Sequence, residues 1–99
     1  MNVTFQNTNF KADKKLLDFT QERLTKLKKL YDHLSDAIVY FKVENSKTKE
    51  NKFVEIKVHV DHTQIFAEKH SNNFEAAIDE AIDALKHQLV KYKGKLDVS

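Results

Sequence analysis

Three short stretches of this chain alternate in character from one residue to the next, and two longer ones repeat apolar residues every three or four positions. In Asn2–Gln6, Val3 and Phe5 share one side, which predicts a short first strand. Asp13 is placed to cap a helix running to about Leu34, with Leu16, Leu17, Thr20, Leu24, Leu27, Leu30, Tyr31 and Leu34 facing inward. Residues 37–44 set Ala37, Val39, Phe41 and Val43 against Ile38, Tyr40, Lys42 and Glu44. Residues 53–60 set Val54, Ile56, Val58 and Val60 against Phe53, Glu55, Lys57 and His59. Both read as strands with one buried face. The polar run Asn45–Lys52 would join them as a solvated hairpin connection. Asp61–Gln64 turns the chain into a fourth strand, about Ile65–His70, and Ser71–Asn73 offers caps for a last helix over Phe74–Leu96.

The order βαβββα, with one apolar face on each helix, predicts an α+β two-layer sandwich: a four-stranded mixed sheet with both helices on one face. A right-handed crossover makes the first two strands parallel, and hairpins make the other pairs antiparallel. The 99 residues contain no repeat or linker and read as one domain, 1–99. Cysteine is absent, so neither a disulfide framework nor a thiolate metal site is available. Proline is also absent and Gly94 is the one glycine, which excludes glycine-rich phosphate loops. The N-terminus lacks a charged leader followed by an apolar core, and no apolar run approaches membrane-spanning length. The expectation is a soluble, cytoplasmic protein.

The net charge is only +2, but its distribution is uneven. Residues 11–29 hold seven Lys/Arg against three acids, whereas residues 84–96 hold four lysines and no acid. The last helix changes regime midway. Its apolar stripe is Phe74, Ile78, Ala81, Ile82, Leu85, Leu89 and Tyr92. Its first half carries Glu75, Asp79, Glu80 and Asp83, and its second carries Lys86, His87, Lys91, Lys93 and Lys95. At about 100° per residue, His87 and Lys91 stand opposite the stripe, with Lys86, Lys93 and Lys95 on its flanks. Acids early and cations late suit the helix dipole, but that does not require so many lysines. A cationic projection on a folded core suits a polyanion. The first helix adds Arg23, Lys26 and Lys29, spaced three apart, which would form one basic band with the last helix if the two lie side by side.

Catalytic chemistry finds little support. There is no nucleophile elbow and no glycine-framed serine, and most carboxylates fall on solvent faces. His59, Asp61 and His62 read as surface groups rather than metal ligands, because His59 lies opposite Val58 and Val60 and no helical histidine pair accompanies it. No metal or cofactor is expected. Tyr40, Phe53 and Phe66 fall on the sheet face away from the helices, where aromatic residues can stack bases. Sheet-face binding of single-stranded RNA is therefore an alternative, although the strand order differs from the RNA-recognition motif, βαββαβ. A second alternative is a protein-interaction or membrane-surface module using the basic helix. Membrane insertion would have to expose Ile78, Ile82 and Leu85.

Three segments are familiar. RLTKLKKLYDHL (Arg23–Leu34), AIVYFKVE (Ala37–Glu44) and FEAAIDEAIDALKHQLVKYKGKL (Phe74–Leu96) resemble the ribosome hibernation-promoting factor and ribosome-associated inhibitor family. The resemblance spans nearly the whole chain and is most specific in the AAIDxAIDxLxxQLxKxKxK pattern of Ala76–Lys95. It implies binding to the small ribosomal subunit, in the channel of messenger and transfer RNA, with inhibition of translation during stationary phase or starvation stress. It further implies ribosomal-RNA contacts by Arg23, Lys26 and Lys29 on the first helix and by Lys91, Lys93 and Lys95 on the last. The family usually has lysine where Ala84 stands and arginine where His87 stands, and Lys86 occupies a position often filled by Glu or Ala. Lys86 and His87 complete the expected RNA-binding set. Without the C-terminal domain of long members, the chain resembles a short form. The expected protein is a non-enzymatic translation inhibitor, monomeric off the ribosome, with no small-molecule substrate and no membrane partner.

Overall fold

The computed structural model describes residues 1–8, 10–44 and 49–98, with side chains through Tyr92. The elements are β1 (Asn2–Thr8), α1 (Lys14–Leu30), β2 (Leu34–Val43), β3 (Lys52–Val60), β4 (Thr63–Ser71) and α2 (Phe74–Val98). They form one sheet in the order β1-β2-β3-β4. β1 pairs parallel to β2, and the β2–β3 and β3–β4 pairs are antiparallel. This is the expected βαβββα sandwich. Residues Asn45–Thr48 of the expected hairpin connection lie outside the described residues, while Lys52 already belongs to β3.

Register follows from the alternation. Phe5, Val39, Ile56 and Ala67 stand in one row across the sheet, and Val3, Ala37, Val58 and Ile65 in the next. This face meets Leu16, Leu24 and Leu27 of α1 and Ala77, Ile78, Ala81, Leu85 and Leu89 of α2 in a single cluster. Phe10 stacks on Phe74 with centroids 4.3 Å apart, and Phe74 meets Phe41 edge-on at 5.6 Å. The starts of the two helices are thereby fastened to the sheet. The buried hydroxyl of Thr20 donates to the carbonyl of Leu16 at 2.9 Å, so its polarity is satisfied inside the helix.

The first helix ends earlier than its apolar spacing suggests. α1 stops at Leu30, and Tyr31 leaves helical geometry at φ −138°. Lys28 causes part of this, since its ammonium donates to the carbonyls of Asp32 and Leu34 and stabilises the turn. Leu34 is fully buried, but as the first residue of β2 rather than the last of the helix. Leu34 and Ala37 are three apart, so strict alternation would put one of them in solvent. A register shift between them absorbs the odd residue and keeps both inside. Leu30, expected in the core, is 65% exposed. β2 thus starts before Ala37 and ends before Glu44.

Candidate nucleic-acid interface

Both helices run antiparallel to the strands they follow, so α1 and α2 lie side by side pointing the same way. Arg23 bridges them, its Nε donating to Asp79 Oδ1 at 2.8 Å while its guanidinium sits 4.5 Å from the centre of the Phe19 ring. The hydrogen bond to Asp79 holds Arg23 above the usual arginine pKa. This cation is partly committed to holding the helices together. Beyond the bridge α1 soon ends, whereas α2 continues to Val98.

Asp79 therefore marks the flank of α2 that faces α1. Lys86 and Val90 come round to within about 20° of the same side. Gln88 marks the opposite flank, where its Nε2 donates to the Phe66 carbonyl on β4 at 2.7 Å. His87 and Lys91, both exposed, form the ridge between these flanks, in agreement with the periodicity. On α1, Lys26 pairs with Glu22 at 3.4 Å and Lys29 is exposed. Among the described residues, no carboxylate pairs with Lys29, Lys86, His87 or Lys91. The side chains of Lys93 and Lys95 lie outside the described set, but their backbone belongs to α2.

The expected set thus divides. Lys29, Lys86 and Lys91 can offer charge at once, whereas Arg23 and Lys26 share theirs with Asp79 and Glu22. His87 has acidic company, lining a shallow depression with Glu50, Glu80, Asp83 and Lys69. Three carboxylates against one lysine make that hollow a poorer phosphate site than the outer ridge. Among the described residues no cluster of three or more His, Asp or Glu could hold a metal, and no helix is long and apolar enough to cross a membrane. His59 is exposed, as expected. Asp61 is not an idle surface group, because its carboxylate accepts from the Tyr92 hydroxyl at 2.9 Å. Lys28 was not singled out by the sequence as a turn-forming residue, since its carbonyl partners lie in a turn that the apolar spacing hid.

A four-stranded mixed sheet backed on one face by two parallel helices, one longer than the other, defines a two-layer α+β protein. The same architecture occurs in a ribosomal subunit interface protein from Coxiella burnetii, with TM-score 0.84 and 22% identity over 95% of this chain and 99% of that one. It occurs again in the N-terminal domain of Thermus thermophilus Protein Y, with TM-score 0.79 and 23% identity over 93% and 99% of the two chains. Residues 2–97 match the family described as Sigma 54 modulation protein / S30EA ribosomal protein, and the chain belongs to it. The Escherichia coli K12 ribosome hibernation promoting factor is 30% identical over 97% of each chain. The Bacillus subtilis ribosome hibernation promotion factor is 29% identical over 98% of this chain but 51% of its own length.

Proposed function

We propose that this protein is a non-enzymatic ribosome hibernation factor, cytoplasmic and monomeric off the ribosome. In this reading it occupies the messenger- and transfer-RNA channel of the small subunit and contacts ribosomal RNA. One observation carries the reading: α2 outruns α1, residues 84–96 within it hold no acid, and Lys86 and Lys91 there have no carboxylate partners among the described residues. Lys93 and Lys95 follow in the same helix, and Lys29 adds charge at the end of α1. Lysine ammonium groups position a protein on phosphates without reading sequence, and structured RNA is recognised largely through shape and backbone. Membership of a family whose curated relatives are named for ribosome hibernation supports the choice of partner.

The test is charge reversal at Lys91, Lys93 and Lys95 together. None belongs to the apolar stripe, so circular dichroism and the melting curve should barely change. Pelleting with small subunits should be lost. Three lost phosphate contacts should also flatten the log–log salt dependence of binding by roughly two to three units. A triple variant that pellets normally would exclude this helix as the anchor.

A further inference from the structure

The turn between β3 and β4 contains the one non-glycine residue with positive φ among those described, Asp61 at 54°. Glycine suits this left-handed region best, although aspartate is among the residues that enter it more readily than most. Asp61 does more than turn the chain. One carboxylate oxygen accepts from Tyr92 of α2 at 2.9 Å, and the other lies 3.3 Å from Nδ1 of His33 in the α1–β2 connection. One side chain therefore gathers three segments at the end of the molecule from which α2 departs.

Tyr92 is the farthest residue along α2 for which the described structure gives a side-chain hydrogen bond to the body. Those nearer its start are Asp79 with Arg23 and Gln88 with Phe66. Past Tyr92 the helix continues to Val98, roughly 9 Å at 1.5 Å per residue. Helix ends fray readily, since short helical segments are marginal in water, and a hydrogen bond to the body opposes this. A swing or fraying at this point would displace every charge beyond it.

We propose that Asp61 is a positioning residue, which fixes through Tyr92 the angle and order of the basic end of α2 and so aligns its lysines with RNA phosphates. This rests on the reading of α2 as the RNA contact. The same hydrogen bond to Asp61 raises the pKa of Tyr92 above the usual tyrosine value. An aspartate in this left-handed position suits the same role: glycine would relax the turn but could not hold the helix.

Asp61→Gly separates the two functions of the position. It relieves the backbone and removes the carboxylate, so the melting temperature should hold or rise if the turn dominates. Amide hydrogen exchange over residues 91–96 of the free protein should nevertheless accelerate severalfold. Affinity for small subunits should fall about threefold to tenfold, the span of one hydrogen bond of ordinary strength. Tyr92→Phe should reproduce both effects, and the double variant should be no worse than the poorer single one. Asp61→Asn, which keeps an oxygen acceptor for Tyr92, should recover most of the affinity. Unchanged exchange in Asp61→Gly and Tyr92→Phe overturns the anchor. Faster exchange with unchanged affinity overturns the positioning role, provided the charge-reversed α2 has lost binding. If the charge-reversed protein still binds, the RNA reading of α2 has failed, and this inference fails with it.

Discussion

At the scale of single residues, the sequence exposes charge but not its neutralisation. The spacing of Arg23, Lys26 and Lys29 was readable, yet Arg23 meets Asp79, a residue 56 positions away that only the side-by-side helices bring near. No periodicity within α1 could announce that contact. Lys26 is different, because Glu22 stands one turn before it and such pairs can be read from sequence. Tyr92 was legible as part of the apolar stripe, but its hydroxyl partner lies in a hairpin turn. That partner gives it a testable titration. The hydrogen bond to Asp61 stabilises the protonated phenol and raises its pKa above the free value near ~10. A group whose folded pKa is raised gives its full stabilisation below the unfolded pKa and loses it as pH climbs through the folded one. Tyrosinate difference absorbance between wild type and Tyr92→Phe should therefore show Tyr92 ionising later than a free tyrosine. Asp61→Gly should return it to the ordinary range. Tyr92→Phe should also flatten the alkaline decline in stability above about pH 10. Early ionisation of Tyr92 would mean that the contact is not formed in solution.

At the scale of elements, legibility depended on whether a boundary had its own chemistry. Asp13 was read as an N-cap, and its carboxylate accepts from the backbone N–H of Leu16 at 2.9 Å. For α2 the sequence offered three candidates, and the structure selects Asn73, whose Oδ1 accepts from Ala76 N–H at 2.7 Å. The end of α1 had no glycine or proline to mark it. Leu30, Tyr31 and Leu34 therefore continued the helical spacing across a real boundary, and only the bulge before Ala37 reconciles Leu34 with a strand. The core strands were plainer, because one buried and one open face leave little choice of register. The Asn73 cap can be measured directly. Asn73→Ala leaves an orphan donor at the start of α2 and should cost about 1 kcal/mol in urea unfolding, with an unchanged denaturant slope. Ser71 and Asn72, which are not the cap, should matter less to the helix start. A comparable loss from Asn72→Ala, with Asn73→Ala neutral, would reassign the cap.

At the scale of the molecule, the sandwich presents two unlike faces, and they make opposite predictions about RNA. The helical face carries Lys29, Lys86 and Lys91, which have no carboxylate partner among the described residues. The open sheet face carries Tyr40, Phe53, Phe66 and His70, but most of this aromatic surface already has protein partners. Tyr40 donates its hydroxyl to Thr8 Oγ1 at 2.7 Å and meets Phe53 edge-on at 6.3 Å. Phe53 lies 4.9 Å from the His70 ring, which is itself 2.9 Å from Glu44 Oε1. Glu55 and Glu68 stand opposite each other in the β3–β4 register on this face, and Lys57, 3.6 Å from Glu55, offsets part of their charge, so the face is mixed in sign. Phe66, at 54% exposure, is the most available platform for a base. If the helices bind RNA, Tyr40→Ala and Phe66→Ala should leave ribosome affinity within about threefold, a difference below ~1 kcal/mol. Loss of a stacked base would instead cost roughly 1–3 kcal/mol per aromatic. Because Tyr40→Ala also removes a strand-to-strand hydrogen bond, Tyr40→Phe serves as its control and should retain full binding. In a cell-free translation reaction the wild type should inhibit, and excess messenger with initiator transfer RNA should relieve that inhibition if they share its channel. Inhibition that those RNAs cannot compete away would count against the channel. Strong loss of inhibition by a folded Phe66→Ala protein would move the site from the helices to the sheet.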